Sequence, residues 1–456
     1  MGKGIGRRAG ILLAMSSLKE AYRFVDFLHD AGQNFWQILP IGPVGKTLSP
    51  YQSSSAFAGN TIFIDRAAVR KNPERYAPKG RRYEKFIEEN ASWLDDHALF
   101  EAVRASQKGK PLALWPDELR NPDKRALSEL RSRFTVETES IRSEQYCFFT
   151  QWHELKRYAN LKGIGIIGDL PIYVHDNSAE FWLRRSAFDV DRNGRPATSA
   201  GVPPDEFSET GQIWNDPVYE WQGSGGKAAF AFWRERLAQA ARLYDGVRID
   251  HFRGFADFYA IPVAGSHASG RSRKISGEWR PGPGVSFVDM IRKEYPGLFV
   301  IAEDLGDLSD AAKRLVEYSG FPGMKVLQFA FSGSPKNPYL PHNMPENSVC
   351  YTGTHDNNTL MGWLRSAPRC ELNQAMAYLG LSKKEDLQEA LIAAALASRA
   401  DTAIIPMQDW LGLGADARTN RPGTMGGRNW KWQVPKGALT PRLAARIKAA
   451  AKRYSR

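Results

Sequence analysis

Short apolar runs recur along this chain, and most lead into a stretch with the 3.6-residue spacing of an amphipathic helix. The first run covers residues 11–15 (Ile-Leu-Leu-Ala-Met). It leads into residues 19–30, where Ala21, Phe24, Val25, Phe27 and Leu28 fall on one helical face. A second run, 33–40, is entered through Gly32 and is followed by a polar, small-residue loop over 42–60. The pattern predicts further strands at 164–174, 246–250, 298–303, 325–331, 349–353 and 403–407, and helices at 227–243 and 385–397. Residues 66–162 are charged and read as an inserted, mostly helical subdomain. Residues 175–226 read as a loop-rich insertion carrying Trp182, Trp214 and Trp221. Strands alternating with helices imply a parallel sheet. Eight candidate strands fit a single α/β domain over 1–456, a (β/α)8 TIM barrel with mostly helical insertions on the C-terminal face of the strands. A doubly wound sheet is the alternative.

Composition narrows the class. The chain has 456 residues, 42% of them hydrophobic, which excludes a disordered polymer. Three cysteines (Cys147, Cys350, Cys370) leave one over if paired, which speaks against a disulfide framework and for a reducing compartment. The apolar runs are too short to span a bilayer, so no membrane association is expected. Lys3, Arg7 and Arg8 precede the apolar residues 9–15, a faint likeness to a secretory signal. The stretch is minimal, lacks a small-residue cleavage site and runs on into the amphipathic helix. It therefore reads as a first strand, and the chain as cytoplasmic.

The formal charge is +12, but ten of those charges fall in the last 41 residues, where eleven Lys and Arg stand against Asp416 alone. The body is nearly neutral. Residues 439–456 read as a basic C-terminal helix, with Thr440 as cap, Pro441 in the first turn, and Leu443, Ile447, Ala451 and Tyr454 on one face. The expected picture is a docked helix with a solvated basic face. No helix-turn-helix, zinc-finger or RNA-binding signature accompanies it, and no nucleic-acid partner is expected.

Acids mark the ends of the apolar runs. Asp169 closes Ile-Gly-Ile-Ile-Gly-Asp, Asp250 closes Gly-Val-Arg-Ile-Asp, Glu303 and Asp304 close Phe-Val-Ile-Ala-Glu-Asp, and Asp356 follows Tyr-Thr-Gly-Thr-His. In a parallel barrel the C-terminal strand ends open on one face, so these acids converge. Converging carboxylates among Trp and Tyr suit glycoside chemistry: one attacks the sugar, and a second with a raised pKa protonates the leaving oxygen. Arg248, two residues before Asp250, points to the same side of its strand and can keep that carboxylate ionised. A lone Asp after a strand is ordinarily a cap. Several together, each beside His, Arg or Asn, shift the balance towards a site. The pattern alone also admits magnesium.

Two other patterns are discounted. Residues 412–417 fit a loose G-x-G-x-x-A fingerprint, but no helix follows. His153-Glu154 has Arg157 where a zinc protease needs its second His. Trp182 and Trp233 fit a core role equally well.

At these acids the chain resembles glycoside hydrolase family 77, the amylomaltases or 4-α-glucanotransferases of the α-amylase clan. The matching stretches are Ser-Pro-Tyr-Gln-Ser-Ser-Ser-Ala-Phe-Ala-Gly-Asn at 49–60, Gly-Asp-Leu-Pro-Ile-Tyr-Val at 168–174, Ala-Gly-Val-Pro-Pro-Asp at 200–205 and Gly-Gln-Ile-Trp at 211–214. The longest are Val-Arg-Ile-Asp-His-Phe-Arg-Gly-Phe at 247–255, Ile-Ala-Glu-Asp-Leu-Gly at 301–306, Tyr-Thr-Gly-Thr-His-Asp-Asn at 351–357 and Pro-Met-Gln-Asp at 406–409. The resemblance implies transfer of α-1,4-glucan segments between maltooligosaccharides by a retaining double displacement, with no cofactor and no metal. The substrate would be a maltooligosaccharide or a starch- or glycogen-derived glucan. Asp250 then corresponds to the nucleophile, Glu303 to the general acid/base and Asp356 to the third carboxylate, which grips donor sugar hydroxyls. Arg248, His355 and Asp169 are supporting residues, Trp214 an acceptor-side platform, and Ser49 and Tyr51 sugar contacts. Residues 261–284 correspond to a flap near the cleft.

The chain also departs from the family. A Pro/Gly-rich segment usual between the first strand and its helix is missing: Ser16-Ser17-Leu18 runs directly into Lys19. Gly45-Lys-Thr-Leu48 replaces a usual Gly-Tyr-Gly-Asp. The flap, with His267, Arg271, Arg273 and Lys274, is longer and more basic. An α-glucan hydrolase with a relaxed acceptor site and a non-catalytic glucan-binding protein are the competing readings.

Overall fold

The computed structural model describes residues 7–204, 210–263 and 275–456. Eight parallel strands close into a barrel: β1 (Arg8–Leu12), β2 (Phe35–Gln37), β3 (Gly165–Leu170), β4 (Gly246–Ile249), β5 (Phe299–Ala302), β6 (Gly323–Val326), β7 (Ser348–Tyr351) and β8 (Thr402–Pro406). Each pairs with its chain neighbour, and β8 returns to β1. This is the (β/α)8 barrel the strand pattern predicts.

Strand alternation divides the side chains. Leu12, Phe35, Ile167, Ile301, Met324, Val326, Val349, Tyr351 and Ile404 fill the barrel interior. Their neighbours, such as Ile11, Trp36, Ile166, Val247, Val300 and Ile405, pack outward under the helices. Trp182 and Trp233 both lie in this outer core.

Two predicted elements differ from what the sequence suggests. The run at 325–331 supplies only the end of β6, because Leu327–Phe329 turns into a 3-10 helix and the strand starts earlier, at Gly323. The stretch 175–226, read as loop-rich, contributes Thr198–Val202 and Gln212–Pro217 to a four-stranded antiparallel sheet. That sheet is completed by Asp257–Pro262 and Glu278–Pro281, which follow β4.

One barrel seam is unlike the others. β5 and β6 share a single register pair, Gly323 with Ala302, whereas every other seam pairs three or more residues. The Asp304 carboxylate takes over part of the ladder, accepting the Met324 N–H at 2.6 Å and the Lys325 ammonium at 3.0 Å. It fits because residue 323 is glycine: a Cβ there would stand 2.8 Å from the Asp304 carboxyl carbon.

The helices cover the barrel from outside. Residues 66–162 are built of helices, ending in the long Thr135–Leu161. The last helix, Pro441–Arg453, starts with the Thr440 hydroxyl accepting the Leu443 N–H and buries Leu443, Ala444, Ile447 and Ala451. Not all the basic residues of this end are solvated, as the charge pattern suggested. Arg456 donates to the carbonyls of Arg8, Leu396, Ser398, Ala400 and Asp401 beneath the barrel. Burial lowers its pKa to about 10. Arg418 also turns inward, towards the site. All three cysteines are free, with Cys147 and Cys350 buried. Among the described residues no helix is long and apolar enough to cross a membrane.

Candidate active site

The acids gather at the C-terminal strand ends, around Arg248. Asp169 on β3 and Arg248 on β4 are register partners in a parallel pair, so both side chains point into the barrel mouth. Arg248 Nη1 donates to both Asp169 oxygens at 2.9 Å, and Nη2 donates to Asp250 Oδ1 at 2.7 Å. Burial opposes the guanidinium's charge, but Asp169 and Asp250 hold its pKa well above the arginine range. One cation thus orients two carboxylates. Asp250 sits one residue past β4, its N–H donating to Leu170 O at 3.1 Å, and its side chain is 29% exposed, open to a ligand.

Glu303, one residue past β5, is held differently. Its Oε2 accepts the His251 N–H at 2.7 Å and its Oε1 the Leu305 N–H at 2.9 Å. Burial, reinforced by nearby Asp250 and opposed by Arg248, raises its pKa to about 7. A carboxyl group in that range is an acid at neutral pH and a base once its proton has gone. His251 reaches it from a left-handed backbone (φ 51°). Burial lowers the His251 pKa to about 4, leaving a neutral ring.

Tyr51 joins β3 to the loop after β7. Its hydroxyl lies 2.7 Å from Asp169 Oδ2 and 2.9 Å from His355 Nε2. A phenol has one proton, and the Asp169 carboxylate takes it. His355 Nε2 must then carry a hydrogen and donate it to the phenol oxygen. The same nitrogen lies 3.4 Å from Asp356 Oδ2. Asp356 is also held from the loop after β8. Asn420 Nδ2 donates to its Oδ1 at 2.6 Å, the Asn420 N–H donates to His355 O at 3.0 Å, and Arg418 donates to the Asp356 carbonyl. Beneath this loop the buried Asp409 accepts the Thr352 hydroxyl at 2.5 Å and the Leu360 N–H at 2.7 Å.

Trp214 stands on the opposite side, on strand Gln212–Pro217. Its ring meets the His251 ring edge to face at 4.9 Å and Tyr173 at 6.2 Å. Two residues on, Asp216 Oδ1 lies 3.3 Å from His175 Nδ1, and burial raises the Asp216 pKa to about 6. Ser49 lies in the Tyr51 loop, where its carbonyl accepts the Gln52 N–H at 3.2 Å.

The structure therefore joins Asp169, Arg248, Asp250, Tyr51, His355 and Asp356 in one hydrogen-bonded network. Glu303 and Trp214 are linked to each other through His251. Ser49 has local contacts. Residues 264–274, with His267, Arg271, Arg273 and Lys274 of the expected flap, and Asp205 lie outside the described residues. Sequence reasoning passed over His251, Arg418, Asn420 and Trp430, although His251 stands inside a quoted motif. Among the described residues, no cluster of three or more His, Cys, Asp or Glu has the arrangement of a metal site.

Fold and site define a (β/α)8 enzyme with an acid-lined, aromatic-walled mouth. The family profile described as 4-alpha-glucanotransferase matches residues 13–79 and 65–440. The 4-alpha-glucanotransferase of Thermus thermophilus is 39% identical over 99% of this chain and 99% of its own length. That of Clostridium butyricum is 36% identical over 96% of each. The solved amylomaltase from Streptococcus agalactiae, in complex with acarbose, superposes with a TM-score of 0.91 at 34% identity over 99% of both chains. The chain belongs to the 4-alpha-glucanotransferase family, glycoside hydrolase family 77, and is a glucan-transferring enzyme of it.

Proposed function

We propose that this enzyme moves α-1,4-glucan segments between maltooligosaccharides through a covalent glycosyl-enzyme. The observation that carries the mechanism is the different treatment of two acids. Asp250 is bound by a guanidinium, while Glu303 is held on two peptide N–H groups with its pKa raised to about 7. In the first half, the Asp250 carboxylate attacks the anomeric carbon. The glycosidic bond breaks, and Glu303 gives its proton to the leaving sugar oxygen. In the second half, a sugar hydroxyl of the acceptor gives its proton to Glu303 and displaces Asp250, so the anomeric configuration is retained. Asp356, fixed by Asn420, grips donor hydroxyls, with Ser49 and Tyr51 as further sugar contacts. Trp214 offers its ring to the acceptor.

Natural substrates on this reading are maltooligosaccharides or starch- and glycogen-derived glucans, handled in the cytoplasm. One barrel domain carries the activity, with 66–162, 175–226 and 439–456 as insertions and terminal helix.

Incubation with maltotriose tests the proposal. Glucose together with oligomers longer than the substrate is the expected product pattern. Glucose and maltose alone would support the hydrolase reading. Binding without turnover, unaffected by Asp250→Asn, would support a non-catalytic role.

A further inference from the structure

Trp430 is a large residue in a backbone conformation that suits glycine. Its φ is +65°, where a Cβ crowds the neighbouring carbonyl oxygen. Other left-handed positions of the same loop are glycine: Gly423, Gly426 and Gly427. Several bonds hold the tryptophan in place. Its N–H donates to Thr419 O at 2.7 Å. The preceding Asn429 accepts the Arg421 N–H and donates to Thr424, each at 3.1 Å. Just beyond, the Val434 N–H donates to Ser17 O at 3.0 Å, and Gln433 donates to Ser16 O.

The loop is thus tied to the short connection after β1. What the costly conformation achieves is the position of a ring. The Trp430 indole is half-buried, 5.9 Å from the Tyr51 ring and 6.0 Å from the His355 ring. Those two rings stack at 5.3 Å and 14°. The three form an aromatic wall on the Asp356 side of the mouth, opposite Trp214. The indole also packs against the inner barrel residues, but it remains half-buried, with part of its surface free.

We propose that Trp430 is a specificity-determining residue that stacks on a glucose ring of the donor chain, next to the unit gripped by Asp356, and so sets the shortest donor turned over well. A glucose ring offers C–H faces to an indole, which buries apolar area without needing a buried polar partner. The inference rests on Asp356 marking the donor side.

The test is Trp430→Gly, which accepts this backbone, with Trp430→Asn as a second variant of the same kind and Trp430→Phe as the conservative one. Gly and Asn variants are expected to stay folded, the relief of backbone strain offsetting the lost packing of the indole against the inner barrel residues. Their KM for maltotriose as donor should rise about ten-fold, with kcat within about two-fold, while longer donors suffer less and Phe restores most of the affinity. An unchanged donor KM in the folded Gly and Asn variants would overturn the proposal. If the parent itself makes no ladder from maltotriose, the transfer reading fails separately. Calorimetric titration of maltotriose into Asp250→Asn, with and without Trp430→Gly, then decides. Binding weakened about ten-fold supports the stacking role, and equal binding refutes it.

Discussion

Asp169 and Arg248 face each other as register partners on adjacent strands, joined by two hydrogen bonds of 2.9 Å at the bottom of the barrel mouth. Neither touches solvent freely: their side chains are 0% and 5% exposed. Removing Arg248 leaves the Asp169 charge buried and unpaired, whereas removing Asp169 leaves the guanidinium with Asp250 alone. Asp169→Asn, which keeps Arg248 paired with Asp250, is expected to cost about 1–3 kcal/mol of stability, read by denaturant unfolding. Activity should fall too, because an amide at 169 has one acceptor oxygen where the carboxylate has two, and Arg248 and Tyr51 then compete for it. Arg248→Lys should fail to rescue, since an ammonium is a point charge and lacks the planar fork that holds Asp169 and Asp250 together.

On the proposed mechanism, Glu303 sets the alkaline limit of the reaction. Its carboxyl must carry a proton when the leaving sugar departs, and its pKa is raised to about 7 by burial. The acid form therefore dominates below that value and is lost as pH rises through it. The pH profile of kcat/KM should fall on the alkaline side near pH 7. Glu303→Gln should lower the rate on maltooligosaccharides by about 10² to 10⁴. The loss should be much smaller on α-glucosyl fluoride, whose leaving group needs no proton. An equal loss on both substrates would remove Glu303 from the acid role.

Asn420 holds Asp356 by a side-chain bond of 2.6 Å and His355 by its N–H at 3.0 Å. Asn420→Ala removes only the first. The expected effect is a drop in kcat/KM of about ten-fold or more, at nearly unchanged melting temperature. Asn420→Asp should be worse, because it sets a second carboxylate against Asp356.

Gly323→Ala tests the β5–β6 seam. The added methyl meets the Asp304 carboxyl, which then releases Met324 N–H or Lys325. A loss of about 1–3 kcal/mol in unfolding free energy is expected. Activity should fall with it, since Glu303 is the residue before Asp304.

Most of the barrel is legible in the chain because parallel strands are buried on both faces and read as plain apolar runs. Ile166, Val247, Val300 and Ile404 belong to such runs. β6 is misread for the same reason: Val326-Leu-Gln-Phe-Ala-Phe331 is apolar whether or not it is extended, and what starts the strand earlier is a distant carboxylate, Asp304. The antiparallel sheet is hidden because its strands are interrupted by Gly and Pro and pair across long separations, Thr198 with Pro262 and Gly201 with Ile213. Asp169, Asp250 and Glu303 announce themselves by standing at strand ends. Asn420 and Trp430 carry no such mark. They reach Asp356 and His355, respectively, from more than sixty residues away, through a loop whose shape depends on contacts with Ser16 and Ser17.

One residue of the mouth bears on the contest between acceptor sugar and water. His251 touches Glu303 with its peptide and Trp214 with its ring, and its left-handed backbone couples the two. On the reading of Trp214 as acceptor platform, an arriving sugar leans on the indole, and the indole leans on the residue that holds the proton carrier. A water molecule is too small to lean on anything. The choice between sugar and water is then one of grip: a sugar held on the indole stands beside the base that deprotonates it, and a water has no such hold.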